Sequence, residues 1–204
     1  MSPIRSRFLV TASIVSLVSV LAVAPASGQT EPTCMGLTPD EARAAGYRVQ
    51  VGGSGPDVLV GVNRVSDYIL GLAGDDVLSG AGAGDIICGG EGDDILNSGD
   101  GADWVDGGPG DDELNLGDGN DVGHGRTGED RIVGGSGNDR LYGNEDADRM
   151  SGEDGDDLLH GHDGSDVLFG GAGHDRIDAG PGVDRVAGGP GRDRLRGGRG
   201  ADLM

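Results

Sequence analysis

Gly89-Gly90-Glu91-Gly92-Asp93-Asp94-Ile95-Leu96-Asn97 is the stretch on which the fold turns. Gly134-Gly135-Ser136-Gly137-Asn138-Asp139-Arg140-Leu141-Tyr142 repeats its plan five periods of nine later. Extended outward, the same register starts at Gly52 and reaches Met204 in 17 units, of which only the second (Gly61 to Leu70) carries an extra residue. Position six is aspartate in every unit: Asp57, Asp67, Asp76, Asp85, Asp94, Asp103, Asp112, Asp121, Asp130, Asp139, Asp148, Asp157, Asp166, Asp175, Asp184, Asp193 and Asp202. Position eight is Leu, Ile, Val or Met except at Gly123, and position four is Gly except at Ala83, Asp146 and the extended second unit. Compositional drift does not keep one residue type at one position through 17 units.

The unit has a physical reading. Positions one to six form a turn, where Gly permits positive φ and close backbone approach. Positions seven to nine form a short strand, whose alternation sends residue eight inward and residues seven and nine outward. Two units then make one 18-residue coil with two parallel strands and two turns. The expected fold is all-β, a parallel β-roll (a β-helix solenoid), in which each turn lies over the turn two units earlier.

Composition agrees. The chain has 204 residues, 44 of them Gly, with aromatics at 3%. So much Gly argues against a helical domain or a sandwich, since Gly weakens helices and strand interiors. Acidic residues number 36 and basic ones 15, all Arg, for a formal charge of −21. That surface repels a phosphate backbone, so nucleic acid is not an expected partner. Such a chain is either disordered or a Gly-dependent repeat whose charge something else neutralises.

The repeat resembles the G-G-x-G-x-D-x-U-x nonapeptide of RTX (hemolysin-type) proteins, a known calcium-binding signature. The resemblance covers about three quarters of the chain. Cys34 and the Ile87-Cys88-Gly89-Gly90 segment are similar to features of secreted actinobacterial members. It implies calcium held between stacked turns, and the unit explains why. Stacked turns bring carboxylates to about 5 Å from one another, where like charges repel. Ca²⁺ between them accepts six to eight oxygens, from carboxylates and backbone carbonyls alike. Mg²⁺ demands a tighter octahedron, and Zn²⁺ prefers nitrogen and sulfur ligands that the turns lack.

The expected ligands are Asp76, Asp85, Asp94, Asp103, Asp112, Asp121, Asp130, Asp139, Asp148, Asp157, Asp166, Asp175, Asp184 and Asp193, with Asp57, Asp67 and Asp202 weaker. The regular run from Gly71 holds 15 units, and a site needs units i and i+2, so at most 13 ions fit. The ten-residue unit is expected to interrupt the ladder below Gly71. Ala83 disfavours a left-handed turn and Asp146 tolerates it better. Arg192 and Arg199 inside the last turns weaken the final sites, leaving about ten occupied. The position-eight column (Leu78, Ile87, Leu96, Val105, Leu114) is thin, with a gap at Gly123. Folding is therefore expected to be coupled to the metal.

The flanks read differently. Residues 1–28 resemble a secretory signal peptide, with Arg5 and Arg7 before an apolar run from Phe8 to Val23 and a cut after Ala26 or Gly28. At about 16 residues the run is short for an uncleaved anchor. The expected product is secreted and extracellular, with no membrane contact after cleavage. Residues 29–51 form an N-terminal cap. In it Thr38-Pro39-Asp40-Glu41 opens a short helix that Gly46 stops, and Tyr47 to Val51 alternates like a strand. Residues 52–204 are the repeats.

In an exported protein Cys34 and Cys88 are expected to bridge, two free thiols being the other reading. The bridge would pin the cap against a face bearing Ile86, Trp104 and Val122. Position seven later turns to Arg, at Arg131, Arg140, Arg149, Arg176, Arg185 and Arg194. That is either a solvated row offsetting the acids or a contact for an anionic polysaccharide or cell wall.

The residues point away from catalysis. No G-x-S-x-G elbow or H-E-x-x-H helix occurs. His124, His160, His162 and His174 sit at turn and strand-end positions, and pairs such as Asp75-Asp76 belong to turns. Only about 23 residues separate the signal from the repeats. RTX proteases and lipases, by resemblance, carry a large catalytic domain there. The reading is a non-catalytic, monomeric calcium-binding β-roll, or alternatively a calcium-dependent adhesin. Without Arg5 and Arg7 the charge is −23. Ten to thirteen Ca²⁺ would return it close to zero.

Overall fold

The computed structural model describes residues 33–204. The signal-peptide segment and residues 29–32 of the cap lie outside them. One helix, α1 (Pro39–Ala45), precedes seventeen strands. They are β1 (Arg48–Val51), β2 (Val58–Val60), β3 (Asp67–Ala73), β4 (Val77–Gly82), β5 (Ile86–Glu91), β6 (Ile95–Gly101), β7 (Trp104–Pro109), β8 (Glu113–Gly119) and β9 (Val122–Thr127). They continue with β10 (Arg131–Ser136), β11 (Arg140–Glu145), β12 (Arg149–Asp154), β13 (Leu158–Asp163), β14 (Val167–Ala172), β15 (Arg176–Pro181), β16 (Arg185–Ala187) and β17 (Arg194–Arg199). Odd strands form one nine-stranded sheet and even strands an eight-stranded sheet. Every pairing between these strands is parallel and joins strand n to n+2, so the fold is a β-solenoid of 18-residue coils.

The strands are longer than the unit suggests. Most run six residues, from position seven through position three of the next unit, and the turn shrinks to positions four to six. Burial in β11 runs exposed, buried, intermediate, buried, intermediate, exposed. Positions eight and one therefore both point inward. Position one is small because its own unit's aspartate folds over it: a Cβ on Gly89 would lie 2.1 Å from Asp94 Oδ2. The glycines at positions one and two disguise strand as turn.

Position eight supplies the core, from Ile69, Leu78 and Ile87 through Leu168, Ile177 and Val186. The expected gap at Gly123 is closed. Leu116, at position one of the same unit, turns inward where other units carry Gly, Ser98 or Ala179, and is fully buried. Its Cδ1 lies 3.0 Å from where a Cβ on Gly123 would be.

The extra residue does not interrupt the ladder. Arg48 pairs with Asp67 and Val58 with Val77, an offset of 19, and the offset is 18 from β3 onward. The surplus is absorbed at Asn63-Arg64, where Arg64 takes φ 66° and its N–H donates to Gly82 O at 3.0 Å. Ala83 also adopts the left-handed region that it disfavours, with φ 98°, as Asp146 does with φ 73°. Pairing on both sides of each turn overrides the local preference.

The cap follows its sequence signals. Thr38 Oγ1 accepts from Glu41 N–H, and Glu41 Oε2 accepts from Thr38 N–H at 2.9 Å, closing a capping box. These bonds hold the Glu41 carboxyl below its ordinary pKa. Gly46 at φ 102° ends the helix. β1 joins the nine-stranded sheet as its first strand, so the segment is continuous with the solenoid. A second apolar cluster joins Cys34, Ala42, Tyr68, Leu70 and Ile86, with Cys88 and Trp104 at its margin. Val122 lies outside that cluster. The Tyr68 hydroxyl donates to Leu37 O and accepts from Cys34 N–H. Cys34 and Cys88 form a disulfide with their Cα atoms 6.0 Å apart. No described helix is long and apolar enough to cross a membrane.

Candidate metal centre

The turns stack in two rows. One contains Asp67, Asp85, Asp103, Asp121, Asp139, Asp157, Asp175 and Asp193. The other contains Asp57, Asp76, Asp94, Asp112, Asp130, Asp148, Asp166, Asp184 and Asp202. Within each row the Oδ1 of every aspartate after the first accepts the backbone N–H of the aspartate one coil earlier. The chain of bonds runs from Asp57 N–H on Asp76 Oδ1, at 2.7 Å, to Asp184 N–H on Asp202 Oδ1, at 3.2 Å. The invariant position is thus also a backbone cap.

The second oxygen is the informative one. Oδ2 is buried without a hydrogen-bond partner in all thirteen position-six aspartates from Asp76 to Asp184. A folded protein normally leaves few buried polar atoms unsatisfied, and an ionised one is far costlier. Here the same atom is orphaned at every step of both rows between their ends. Carbonyl oxygens line the same turns. A Cβ on Gly108 would meet Gly90 O at 2.1 Å, and one on Gly110 would meet Gly92 O at 2.0 Å. Positions two and four of one coil therefore aim their carbonyls at the next.

Among the described residues no three His, Cys, Asp or Glu side chains gather in metal-holding reach. A cation here would take one or two carboxylates and complete its shell from the backbone. Such an all-oxygen donor set fits a hard ion of Ca²⁺ type.

Burial raises the carboxyl pKa values. Asp85, Asp112, Asp121, Asp130 and Asp148 are pushed up to about 7, and Asp94, Asp157 and Asp166 to about 6. Desolvation is the main cause. The backbone N–H bond opposes it, and neighbouring aspartates in the row add to it.

The row ends differ. Asp67 is buried but satisfied: Oδ1 accepts from Arg48 Nε and Oδ2 from Val62 N–H at 2.9 Å. Asp57 Oδ2 accepts from Gly53 N–H at 2.6 Å. Asp193 and Asp202 are only half-buried.

Six stretches, residues 65–96, 89–123, 124–159, 142–177, 151–186 and 178–204, match the RTX calcium-binding nonapeptide repeat (4 copies). Together they span well over half of the sequence. The chain belongs to that RTX family. No curated protein matches it.

The RTX roll also holds features that the period alone did not reveal. Position five forms a second ladder of opposite polarity. Asp111 N–H donates to Asp93 Oδ1, Asn138 N–H to Asn120 Oδ1 and His174 N–H to Asp156 Oδ1. The frequent Asp and Asn at position five was its available signal. The six position-seven arginines do not make one row. Arg131, Arg149 and Arg185 lie on the eight-stranded sheet, and Arg140, Arg176 and Arg194 on the nine-stranded one. His124, Tyr142 and His160 stack on the outer side of the nine-stranded sheet, with centroids 4.7 and 5.5 Å apart. His162 sits beside His160 at 5.6 Å, while His174 takes part in the position-five ladder.

Proposed function

We propose that the protein is a secreted, non-catalytic calcium-binding β-roll whose folding is coupled to the ions between its turns. Asp76 and its equivalents through Asp193 would hold them, together with backbone carbonyls. Asp57, Asp67 and Asp202 would contribute less. The observation that carries the reading is the unbroken series of orphaned Oδ2 atoms. Each bound ion would bring two positive charges to carboxylates whose Oδ2 has no hydrogen-bond donor. Thirteen such oxygens are compatible with the ceiling of 13 sites and with about ten filled ones. Export of the chain by its N-terminal segment would deliver it where calcium is abundant, as a monomer without a nucleic-acid partner.

Calorimetric titration of the metal-free protein tests this, with circular dichroism followed in parallel. About ten ions per chain and a β spectrum that needs them are expected. A β spectrum that persists in excess EDTA at neutral pH would overturn the coupling. A calcium-dependent surface-interaction role is a second reading, favoured by the larger number of arginines on strands β9 to β17 of the nine-stranded sheet.

A further inference from the structure

The nine-stranded sheet has two unlike parts. Around β3, β5 and β7 its outer surface carries the cap and the disulfide. From β9 to β17 nothing among the described residues covers it, and its charge differs from that of the molecule. These five strands carry Arg126, Arg140, Arg176, Arg194, Arg196 and Arg199 against Glu145, Asp163 and Asp178. Arg126 pairs with Asp106 of β7 and Arg196 with Asp178, which leaves Arg140, Arg176, Arg194 and Arg199 without an ion-pair partner among the described residues. The five strands β8, β10, β12, β14 and β16 of the other sheet carry three arginines against four acids. A chain of charge −21 thus gathers a net positive strip on one side. The stacked rings run along it. His124 and Tyr142 are 9° from parallel, and Tyr142 and His160 are 2°. Their faces cover one another. His124 Nδ1 is buried, and the Tyr142 hydroxyl and the His160 edge are left for a ligand. Beyond His162 the same row continues as Gly180 and Gly198, and a hollow opens there between His160, His162, Asp163, Asp178, Arg196 and Arg199.

We propose that this strip binds an acidic polysaccharide lying along the solenoid axis, across the strands. Guanidinium groups meet carboxylate or sulfate groups in paired hydrogen bonds. The ring edges exchange hydrogen bonds with sugar hydroxyls. The cationic groups recur at multiples of the strand spacing, about 4.8 Å, which suits a polymer whose own charges recur. Of the large exposed apolar residues these strands hold only Leu195, at the inward position of the last strand, so a lipid surface is a poor fit. With Asp106 counted, the surplus is six arginines over four acids, and two extra cations within an acidic chain are too weak for a nucleic-acid backbone. The proposal rests on the calcium reading, because the strip exists only in assembled coils.

The test uses the full protein in calcium with chondroitin sulfate as probe, hyaluronan as its sulfate-free counterpart and dextran as neutral control. Binding is read by affinity electrophoresis and folding by the calcium-induced dichroism. Chondroitin sulfate is expected to bind and dextran not. Retention of hyaluronan assigns the contact to carboxylates, and its absence to sulfates. The triple variant Arg176→Ala/Arg194→Ala/Arg196→Ala is expected to bind about tenfold more weakly, a difference of about 1.4 kcal/mol. Arg131→Ala/Arg149→Ala/Arg185→Ala, on the other sheet, should bind like the parent, and both variants should fold normally. Normal folding without binding to either anionic polymer overturns the proposal. So do equal losses in the two triple variants, or equally tight binding of single-stranded DNA or anionic vesicles. Loss of the dichroism change in the parent protein would instead overturn the calcium reading.

Discussion

Leu116 occupies the space that Gly123 leaves. The two residues belong to one nonapeptide, at positions one and eight, and they exchange the sizes that every other unit assigns to those positions. Leu116 is fully buried, with its Cδ1 3.0 Å from the point where a Cβ on Gly123 would stand. Leu116→Gly should therefore cost roughly 3 kcal/mol or more through the cavity it opens. Gly123→Leu alone should cost about 1–3 kcal/mol by overpacking. The double variant Leu116→Gly/Gly123→Leu restores the ordinary pattern and should regain most of the loss. Chemical denaturation in saturating calcium measures all three, and additive losses in the double variant would show that the two side chains do not share a space.

Asp112 and Asp67 make a second contrast. Asp112 Oδ2 has no partner, while Asp67 is satisfied by Arg48 and Val62. Asp112→Asn keeps an oxygen for the Asp94 N–H but removes the charge, and should reduce the calorimetric stoichiometry by about one or two ions. Asp67→Asn should leave the stoichiometry near that of the parent. It should weaken the first coil instead, because the Arg48 guanidinium loses its charged acceptor. If both variants lose ions equally, Arg48 is not standing in for a cation.

The register made the coil, the inward column and the buried turn aspartates readable from the sequence. It did so because one residue type per position sets period, face and chemistry together. What escaped it depended on position one. Glycines there suggested turn, so the second half of most strands and the Leu116–Gly123 exchange were invisible until the inward side of that position was known. The two-sided distribution of the arginines follows from odd and even units alternating between sheets. A row read along the sequence does not include that alternation. The continuity through the ten-residue unit depends on Arg64 adopting a left-handed conformation, which sequence disfavours and pairing on both sides imposes.

The raised carboxyl pKa values give the metal-free roll an unusual pH dependence. Desolvation lifts Asp85, Asp112, Asp121, Asp130 and Asp148 to about 7, above the unfolded value near 3.9. A carboxyl that holds its proton more tightly when folded stabilises the fold at low pH. That contribution is lost as pH rises through the folded value. In EDTA the β spectrum should therefore be absent at pH 8 and grow as pH falls below about 7, the range of the raised values. Calcium requires the ionised form, so its affinity should fall over the same interval. Dichroism in EDTA and calorimetry in calcium, each across pH 4–8, check the two trends. A metal-free chain that stays unstructured at pH 5 while calcium affinity is constant would contradict both.

Trp104 is the chain's single tryptophan, and it borders the cap cluster that the Cys34–Cys88 disulfide fastens. The bridge closes a loop of 54 residues, so its loss should cost about 4 kcal/mol by the loop-entropy relation. That cost falls on the cap. The coils beyond β9 share no side chain with the cluster and rest on their own turns. Reduction in saturating calcium, or the Cys34→Ser/Cys88→Ser variant, should shift Trp104 emission to the red as the cap lifts away. Most of the β dichroism should remain. If both signals collapse together, the cap is required for the whole roll. If neither changes, the Tyr68 hydroxyl bonds and apolar contacts hold the cap without the bridge.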